Sequence, residues 1–353
     1  MRNNVVDYYR ALAVTLVTVY HIHMGLGKDT FDLNYGFNLF APLGNGWIGV
    51  GIFFIISGYC MGMSTARDLT NGVTVLKSFR YLMKRFLRIA PAYYVSMLVW
   101  FVLINYFSIT KKPTEVIDII THATFIHNLI PETIYTINGV YWSIGVEMQF
   151  YVLLPVIIAL ATTLNKRVIL LALCVVSTTF TYYSDLNHAY KIGLANYLTL
   201  FVLGWLLYEY RYQIHTFLNK FKLGIPCLAI AVIMMFYKGN SYSNSEKIFE
   251  LVISVFFGLS MIYFAVGEVP AKASYLKELV ALIGRSSFSI YLYNYIFYAV
   301  KPVQYNIVAG IVLLITVSAF GMLMYQIVEV QTEKIRKRVF SRRPQITNPE
   351  QTA

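Results

Sequence analysis

The stretch that decides the fold is GWIGVGIFFIISGYCMGMS, residues 46–64, which carries no charged side chain. A helix rises about 1.5 Å per residue, so a run of this length reaches across the roughly 30 Å hydrocarbon core of a bilayer. Similar apolar segments recur along the 353 residues. We predict ten spanning helices, at approximately 8–27, 46–64, 89–109, 140–163, 167–184, 192–210, 222–238, 248–267, 279–300 and 306–328.

The amino-acid composition indicates the same class of protein. Hydrophobic residues make up 58% of the chain and charged residues 13%, about half the share found in soluble domains. A soluble protein of this length could not bury so much apolar surface in one core. The predicted fold class is therefore an all-α integral membrane protein, a bundle of about ten transmembrane helices.

The distribution of basic residues predicts how these helices are oriented. With a cytoplasmic N-terminus, 20 of the 29 Lys and Arg residues fall on the cytoplasmic side and seven on the other. Because cytoplasmic connections carry such an excess, we predict that both termini are cytoplasmic. The net charge of +12 then reflects topology rather than binding of nucleic acid. We assign residues 1–330 to the transmembrane domain and 331–353 to a basic cytoplasmic tail.

Cysteines and two histidines give weaker signals. Cys60, Cys174 and Cys227 lie in apolar runs without metal-ligand spacing, so we expect buried small hydrophobic residues and no metal site. His122 and His127 belong to the apolar stretch 116–130 in the longest outer connection. That stretch is too short to span, and we expect it to lie in the membrane interface or to re-enter.

Ionisable residues inside the first apolar segment are the main functional candidates, because such residues are costly in a membrane. Arg10 and His21 lie 11 positions apart, about three helical turns, so both project from one face roughly 16 Å apart. At the depth expected for His21, near the bilayer centre, a neutral imidazole can act as a general base toward a hydroxyl. Arg10 can bind phosphate or a carboxylate such as Asp7. The alternative is that Arg10 extends to the interface and His21 is a packing residue.

Glu147, in the fourth segment, lies about 10 Å deep if that helix starts near Tyr141. A carboxylate at that depth could orient His21 and balance its charge. The alternative is that Glu147 pairs with a basic residue and has only a structural role.

Arg85 and Arg88 lie one turn apart at the start of the third segment, where they could clamp the phosphates of a nucleotide-like ligand. The alternative is that these two arginines belong to the general excess of positive charge on the cytoplasmic side, or contact lipid headgroups. Asn294, in the ninth segment, could form an interhelical hydrogen bond.

Taken together, these residues resemble the acyltransferase-3 family of membrane acyltransferases along essentially the whole chain. The ninth segment departs from the family pattern, with Asn294 where a histidine often ends the motif and Ser287 where an aromatic residue often stands. The matching features are Arg10-x10-His21 preceded by Asp7, the glycine-aromatic run Gly46 to Tyr59, Arg85-x-x-Arg88 followed by Pro91 and Tyr94, and Trp142-Ser143 with Val146-Glu147 and Gln149-Phe150-Tyr151.

The resemblance implies a multi-pass enzyme of the bacterial inner membrane. It implies transfer of an acyl group, most often acetyl, from acyl-coenzyme A to a hydroxyl of a surface glycan such as O-antigen, or of its lipid-linked precursor. His21 with Arg10 would be catalytic, and Arg85 and Arg88 would bind the donor. Acyl-coenzyme A would be a co-substrate rather than a tightly bound cofactor, with membrane lipid the other partner.

Two further classes of protein also place polar residues inside a helical bundle. A glycan or glycolipid transporter does so at mid-membrane, although the sequence shows no internal repeat and no pair of broken helices. A membrane sensor or scaffold would not depend on His21 for its function.

Overall fold

The computed structural model describes residues 4–26, 36–37, 39–69, 72–184, 186–238, 245–267, 274–296 and 307–341, and these are almost entirely helical. The exception is one two-residue ladder, in which β1 (Gly36–Phe37) pairs antiparallel with β2 (Tyr237–Lys238). The predicted all-α class is thus confirmed. The helices are α1 (Asn4–Leu26), α2 (Ala41–Gly44), α3 (Gly49–Asp68), α4 (Val75–Asn105), α5 (Val116–Ala123), α6 (Trp142–Leu160), α7 (Leu164–Tyr183), α8 (His188–Lys191), α9 (Leu194–Glu209), α10 (Arg211–Lys220), α11 (Gly224–Met235), α12 (Ser245–Val266), α13 (Tyr275–Arg285), α14 (Ser287–Tyr293), α15 (Ile307–Met324) and α16 (Val330–Ser341).

Six helical stretches of the described chain are long and apolar enough to cross a membrane. A seventh span results if α10 and α11, which meet at an angle of 91°, count as one. The predicted count of ten and the cytoplasmic termini stay predictions. The six stretches are Gly46–Asp68, Val75–Asn105, Trp142–Leu160, Leu164–Tyr183, Lys247–Val266 and Ile307–Phe340.

Three other predicted spans are not among these six, for physical reasons. The predicted span 192–210 is α9, which is apolar but has only 16 residues. Helix α1 has 23 residues, a sufficient length, but Asp7, Arg10 and its two histidines lower its mean hydropathy. The predicted ninth segment is broken at Ser286, where α13 ends and α14 begins.

Glycines set the distances between the central helices. A Cβ on Gly58 of α3 would lie 2.1 Å from the carbonyl oxygen of Phe201 in α9, and one on Gly204 would lie 2.1 Å from that of Ile55. The two backbones therefore touch, as small residues allow in membrane helices. These contacts give the glycine-rich run a packing role, and they fix the orientation of the helix that carries Ser57.

A similar contact seats α1 against the broken ninth segment. A Cβ on Gly284 of α13 would lie 1.8 Å from the carbonyl oxygen of Asp7. This close approach brings α14, which follows directly, alongside α1. It explains why residues after Tyr293 reach the neighbourhood of His21.

The helical structure continues through the predicted domain boundary at residue 330. Helix α15 passes through one π-helical turn, Tyr325–Glu329, into α16. Helix α16 is held against α4, because Arg80 Nη2 donates to the carbonyl oxygen of Phe340 at 3.0 Å. The division into a domain and a tail stays a prediction, and residues 342–353 lie outside the described part of the chain.

The connection between α4 and α6 folds into α5 and a short 3₁₀ turn, His127–Leu129. The rings of His122 and His127 stack there at 4.0 Å, and both side chains are fully buried. His122 Nδ1 lies 2.8 Å from the carbonyl oxygen of Asp118. The position of this connection relative to a membrane interface stays a prediction.

Acid should destabilise this connection. Burial lowers the pKa of His122 to about 4 and that of His127 to about 3; Lys112 lowers the first further, and His122 the second. The native rings therefore stay neutral while unfolded histidines gain protons below about pH 6.5, so stability falls as pH drops from there toward pH 4. The loss can approach ~1.4 kcal/mol per pH unit for each ring.

Thermal unfolding of the detergent-purified protein at pH 7.5, 6.0 and 5.0 measures this effect. We expect the unfolding midpoint to fall with pH, and to fall less in the His122→Gln/His127→Gln variant. Parallel pH profiles for the two proteins would assign the acid sensitivity to other groups.

Candidate active site

Two adjoining cavities bring most of the predicted site residues together. The larger, here called the basic cavity, has a volume of about 520 Å³. Only three acidic residues, Asp7, Glu329 and Glu333, share its lining with a much larger number of cations. The cavity is therefore suited to a polyanion. Its basic lining residues are Arg10, Arg67, Arg85, Arg88, Arg285, Lys334, Arg336 and Lys337.

The smaller cavity, here called the central cavity, has a volume of about 90 Å³ and is mostly apolar. Its polar lining includes Ser57, Glu147 and Tyr151. Arg10, Cys60 and Arg88 border both cavities, and we call these three residues the junction. The apolar lining residues of the central cavity are Val50, Phe53, Phe54, Ile56, Met61, Ile89, Ile144 and Phe288.

At the junction, Arg10 lies between a carboxylate and a thiol. Its Nη1 is 3.8 Å from Asp7 Oδ1, and its Nη2 is 3.3 Å from Cys60 Sγ. The predicted pairing with Asp7 is thus present as a loose contact. Because the pair is loose, a guanidinium N–H can still turn toward a ligand at the junction.

Arg88 and Arg85 occupy the basic cavity differently. Arg88 is enclosed by protein on most sides, yet its side chain is exposed because it borders both cavities. Within the described residues, no carboxylate lies within 4 Å of its guanidinium. Arg85 is buried over the Tyr81 ring, 5.7 Å from its centroid, and its Nε has no hydrogen-bond partner. Both cations therefore have unused capacity to bind an anion.

Glu147 forms a compact polar network in the central cavity. Ser57 of α3 and Tyr151, one turn further along α6, both donate hydrogen bonds to Glu147 Oε1. The Ser57 and Tyr151 hydroxyl oxygens are 3.3 Å apart. The face of α6 that packs on α3 thus carries a carboxylate of which one oxygen, Oε1, accepts hydrogen bonds from two hydroxyl groups.

His21 lies apart from this network. It lines neither the basic nor the central cavity, and its ring meets Tyr295 edge-on at 5.9 Å. Its Nδ1 is buried without a hydrogen-bond partner, while the residue as a whole is partly exposed. It sits five residues before the end of α1, rather than midway along the helix. The expected contact between His21 and Glu147 is not among the hydrogen bonds of the described residues, and the catalytic roles of both stay predictions.

Asn294, for which the sequence predicted only an interhelical hydrogen bond, is a neighbour of His21. Its side chain approaches the His21 ring. It is fully buried, and neither its Nδ2 nor its Oδ1 has a hydrogen bond of good geometry. The position where the family often has histidine thus borders the predicted base. In the sequence, the position of Asn294 within the motif of the ninth segment was the feature that could have indicated this contact.

Two other site residues were missed. Cys60 was expected to be buried, but it is partly exposed and belongs to the junction, a correction that needed the packing of α1 on α3. Glu329, in the π-helical turn, lines the basic cavity and accepts hydrogen bonds from Ser289 N at 3.1 Å and Ser289 Oγ at 2.5 Å. Its signal was an isolated acidic residue at the end of a long apolar run. Single π-helical turns often occur at functional sites.

Comparison with known proteins identifies the family. The acyltransferase-3 family model, described as an acyltransferase domain, matches residues 3–325. The chain belongs to this family. The resemblance seen in the sequence motifs is therefore confirmed.

Several curated proteins are similar to part of the chain. Proteins of Staphylococcus aureus strains COL, MSSA476 and MRSA252, each named "Putative O-acetyltransferase", are 26% identical over 182 residues. The match covers 46% of this chain and 26% of each relative, so the chain aligns with about a quarter of their length. No solved structure matches the chain.

The geometry of the junction predicts which cysteine reacts first. Cys174 and Cys227 are 2% and 6% exposed, whereas Cys60 borders both cavities. Because alkylation requires access to the thiolate, a small maleimide should label Cys60 well before the other two. Peptide mass spectrometry over a labelling time course measures this order. Equal rates at all three thiols, or a fast phase that survives in Cys60→Ala, would contradict the placement of Cys60.

Proposed function

We propose that the protein is a membrane O-acetyltransferase that moves an acetyl group from acetyl-coenzyme A to a sugar hydroxyl of a bacterial surface polysaccharide, such as O-antigen or its lipid-linked precursor. The observation that carries this proposal is the basic cavity, in which Arg85 and Arg88 have no carboxylate partner among the described residues, and which leads through the junction into the narrow cavity that holds Glu147. Family membership and the names of the relatives support the same chemistry.

The shape of the donor agrees with the two cavities. Coenzyme A joins a phosphate-rich nucleotide to a thin pantetheine arm that ends in the thioester. The nucleotide would occupy the basic cavity, with Arg85 and Arg88 on its phosphates. The pantetheine arm would pass Arg10 at the junction and carry the thioester into the central cavity. The inner membrane and a cytoplasmic donor side remain part of the proposal.

Chemical roles follow from these positions. The sugar oxygen attacks the thioester carbonyl, the C–S bond breaks, and coenzyme A leaves as the thiol. Arg10 would bind a phosphate of the donor or set the local electrostatic field, because it lies roughly 16 Å along α1 from His21. His21, oriented by Asn294 and Tyr295, would accept the proton of the sugar hydroxyl, or would carry the acetyl group in a two-step route.

For Glu147 we propose a role other than orienting His21. It shares the central cavity with Arg10 and Arg88, and two hydroxyl groups donate hydrogen bonds to its Oε1. We therefore assign it to balancing the charge of the junction arginines while the cavity is empty of substrate. Ser57 and Tyr151 would keep the carboxylate at a fixed distance from the junction.

Loss of the predicted base should abolish acetylation. In cells matched for membrane expression, His21→Ala should remove an acetyl-sized mass, about 42 Da, from the surface polysaccharide, since a general base contributes ~10²–10⁴-fold in rate. His215→Gln, a partly exposed histidine on α10, is the matched control and should keep the modification. Unchanged acetylation in His21→Ala would remove His21 from the mechanism. Polysaccharide without acetyl groups in every strain would oppose the proposed acceptor.

The donor clamp predicts a selective change in KM. Arg85→Gln/Arg88→Gln should raise the KM for acetyl-coenzyme A by roughly 10- to 100-fold, because each lost charge-assisted hydrogen bond costs about 1.5–3 kcal/mol. The KM for the acceptor should stay the same. Lys77→Gln, at the exposed start of α4, is the control. Release of coenzyme A, followed chromatographically, gives both constants, and equal increases in the two KM values would argue against a donor clamp.

A further inference from the structure

The wall of the basic cavity contributed by α16 is fixed in place. Lys334, Arg336 and Lys337 border the basic cavity but not the central cavity. At the far end of α16, the Lys84 ammonium lies 5.7 Å from the centroid of the Phe340 ring, and the Arg80 guanidinium lies 5.9 Å from it. Together with the hydrogen bond from Arg80 to the Phe340 carbonyl, these contacts hold the helix on α4. The backbone positions that carry these cations are therefore fixed relative to α4.

This wall carries more positive charge than its own carboxylate can balance. Arg336 forms two contacts of 2.7 Å with Glu333, and Lys337 lies 3.9 Å from the same residue. Lys334 donates to Gln331 Oε1 at 3.3 Å, and no carboxylate of the described chain lies within 4 Å of its ammonium. Glu333 is thus committed to Arg336, which leaves Lys334 and Lys337 available to an anion.

The basic cavity consequently has two cation groups in a definite order. Arg88 borders the central cavity as well, so the Arg85/Arg88 group lies on the path to the reacting centre. The Lys334/Lys337 group borders the basic cavity alone. Coenzyme A has the same order, because the diphosphate adjoins the pantetheine arm and the ribose 3′-phosphate lies further from the thioester.

We propose that Lys334 and Lys337 form a subsite for the ribose 3′-phosphate of the donor, separate from the diphosphate site at Arg85 and Arg88. This inference rests on the proposed function. A phosphomonoester carries about −1.5 to −2 charges at neutral pH, which two ammonium groups match. Lysine binds a terminal phosphate as a compact point charge and needs no planar fork geometry.

The subsite makes the protein selective for coenzyme A over 3′-dephospho-coenzyme A. The detergent-purified full-length protein should bind coenzyme A roughly 10- to 100-fold more tightly in isothermal titration, the range expected for charge-assisted contacts to one phosphate. Lys334→Gln/Lys337→Gln should bring the ratio of the two Kd values close to one. The Kd for 3′-dephospho-coenzyme A should not change, which also shows that the variant is folded.

Two matched variants separate this subsite from the rest of the cavity. Arg338→Gln, on the same helix but outside both cavities, should keep the wild-type ratio. Arg88→Gln should weaken both ligands equally and leave the ratio unchanged. An unchanged ratio in Lys334→Gln/Lys337→Gln would overturn the assignment to α16.

Ligand binding by the wild-type protein distinguishes failure of the subsite from failure of the proposed function. Equal binding of coenzyme A and 3′-dephospho-coenzyme A would overturn the subsite and leave the proposed acetyl transfer standing. Binding of neither ligand would remove the donor from the proposed function, and this inference with it.

Discussion

Charged groups in an apolar bundle must find partners or water-filled space, because the surrounding hydrocarbon offers neither. The structure meets this constraint by collecting its internal arginines around two cavities and placing Asp7, Glu147 and Glu329 near them. The carboxylates reduce the repulsion among the cations without pairing with all of them. Arg85 and Arg88 keep binding capacity as a result, and the site stays both tolerable in the membrane and receptive to an anion.

The close packing of the central helices depends on the same arrangement. Gly58 and Gly204 bring α3 and α9 into backbone contact, so the face of α3 opposite α9 is free to carry Ser57 and Cys60. Gly284 draws α13 onto α1 and thereby delivers Asn294 to His21. The polar residues are few. Their neighbours are determined by the positions at which glycines allow two helices to pack closely.

Sequence reasoning could identify Arg10, Arg85, Arg88 and Glu147 because each interrupts or borders an apolar run, where an ionisable residue is costly. It could also place most of the long helices, because each one is a run of apolar residues long enough to span a membrane. It could not decide which helices face one another, so it could not show that Glu147 accepts hydrogen bonds from Ser57 and Tyr151. The lining role of Cys60 required three-dimensional packing, since a cysteine does not interrupt an apolar run. Glu329 does border an apolar run, but only the packing shows that it lines the basic cavity.

The continuity of α15, the π-helical turn and α16 has a mechanical consequence. Only 11% of the most apolar window of this stretch is buried, so lipid surrounds most of α15. Helices exposed to lipid tilt when bilayer thickness changes. Because α15 continues through the π-helical turn into α16, and α16 is held on α4, a tilt of α15 would deform the turn that carries Glu329. Hydrophobic mismatch would reach the cavity wall at that residue, so membrane thickness becomes a determinant of the shape of the wall.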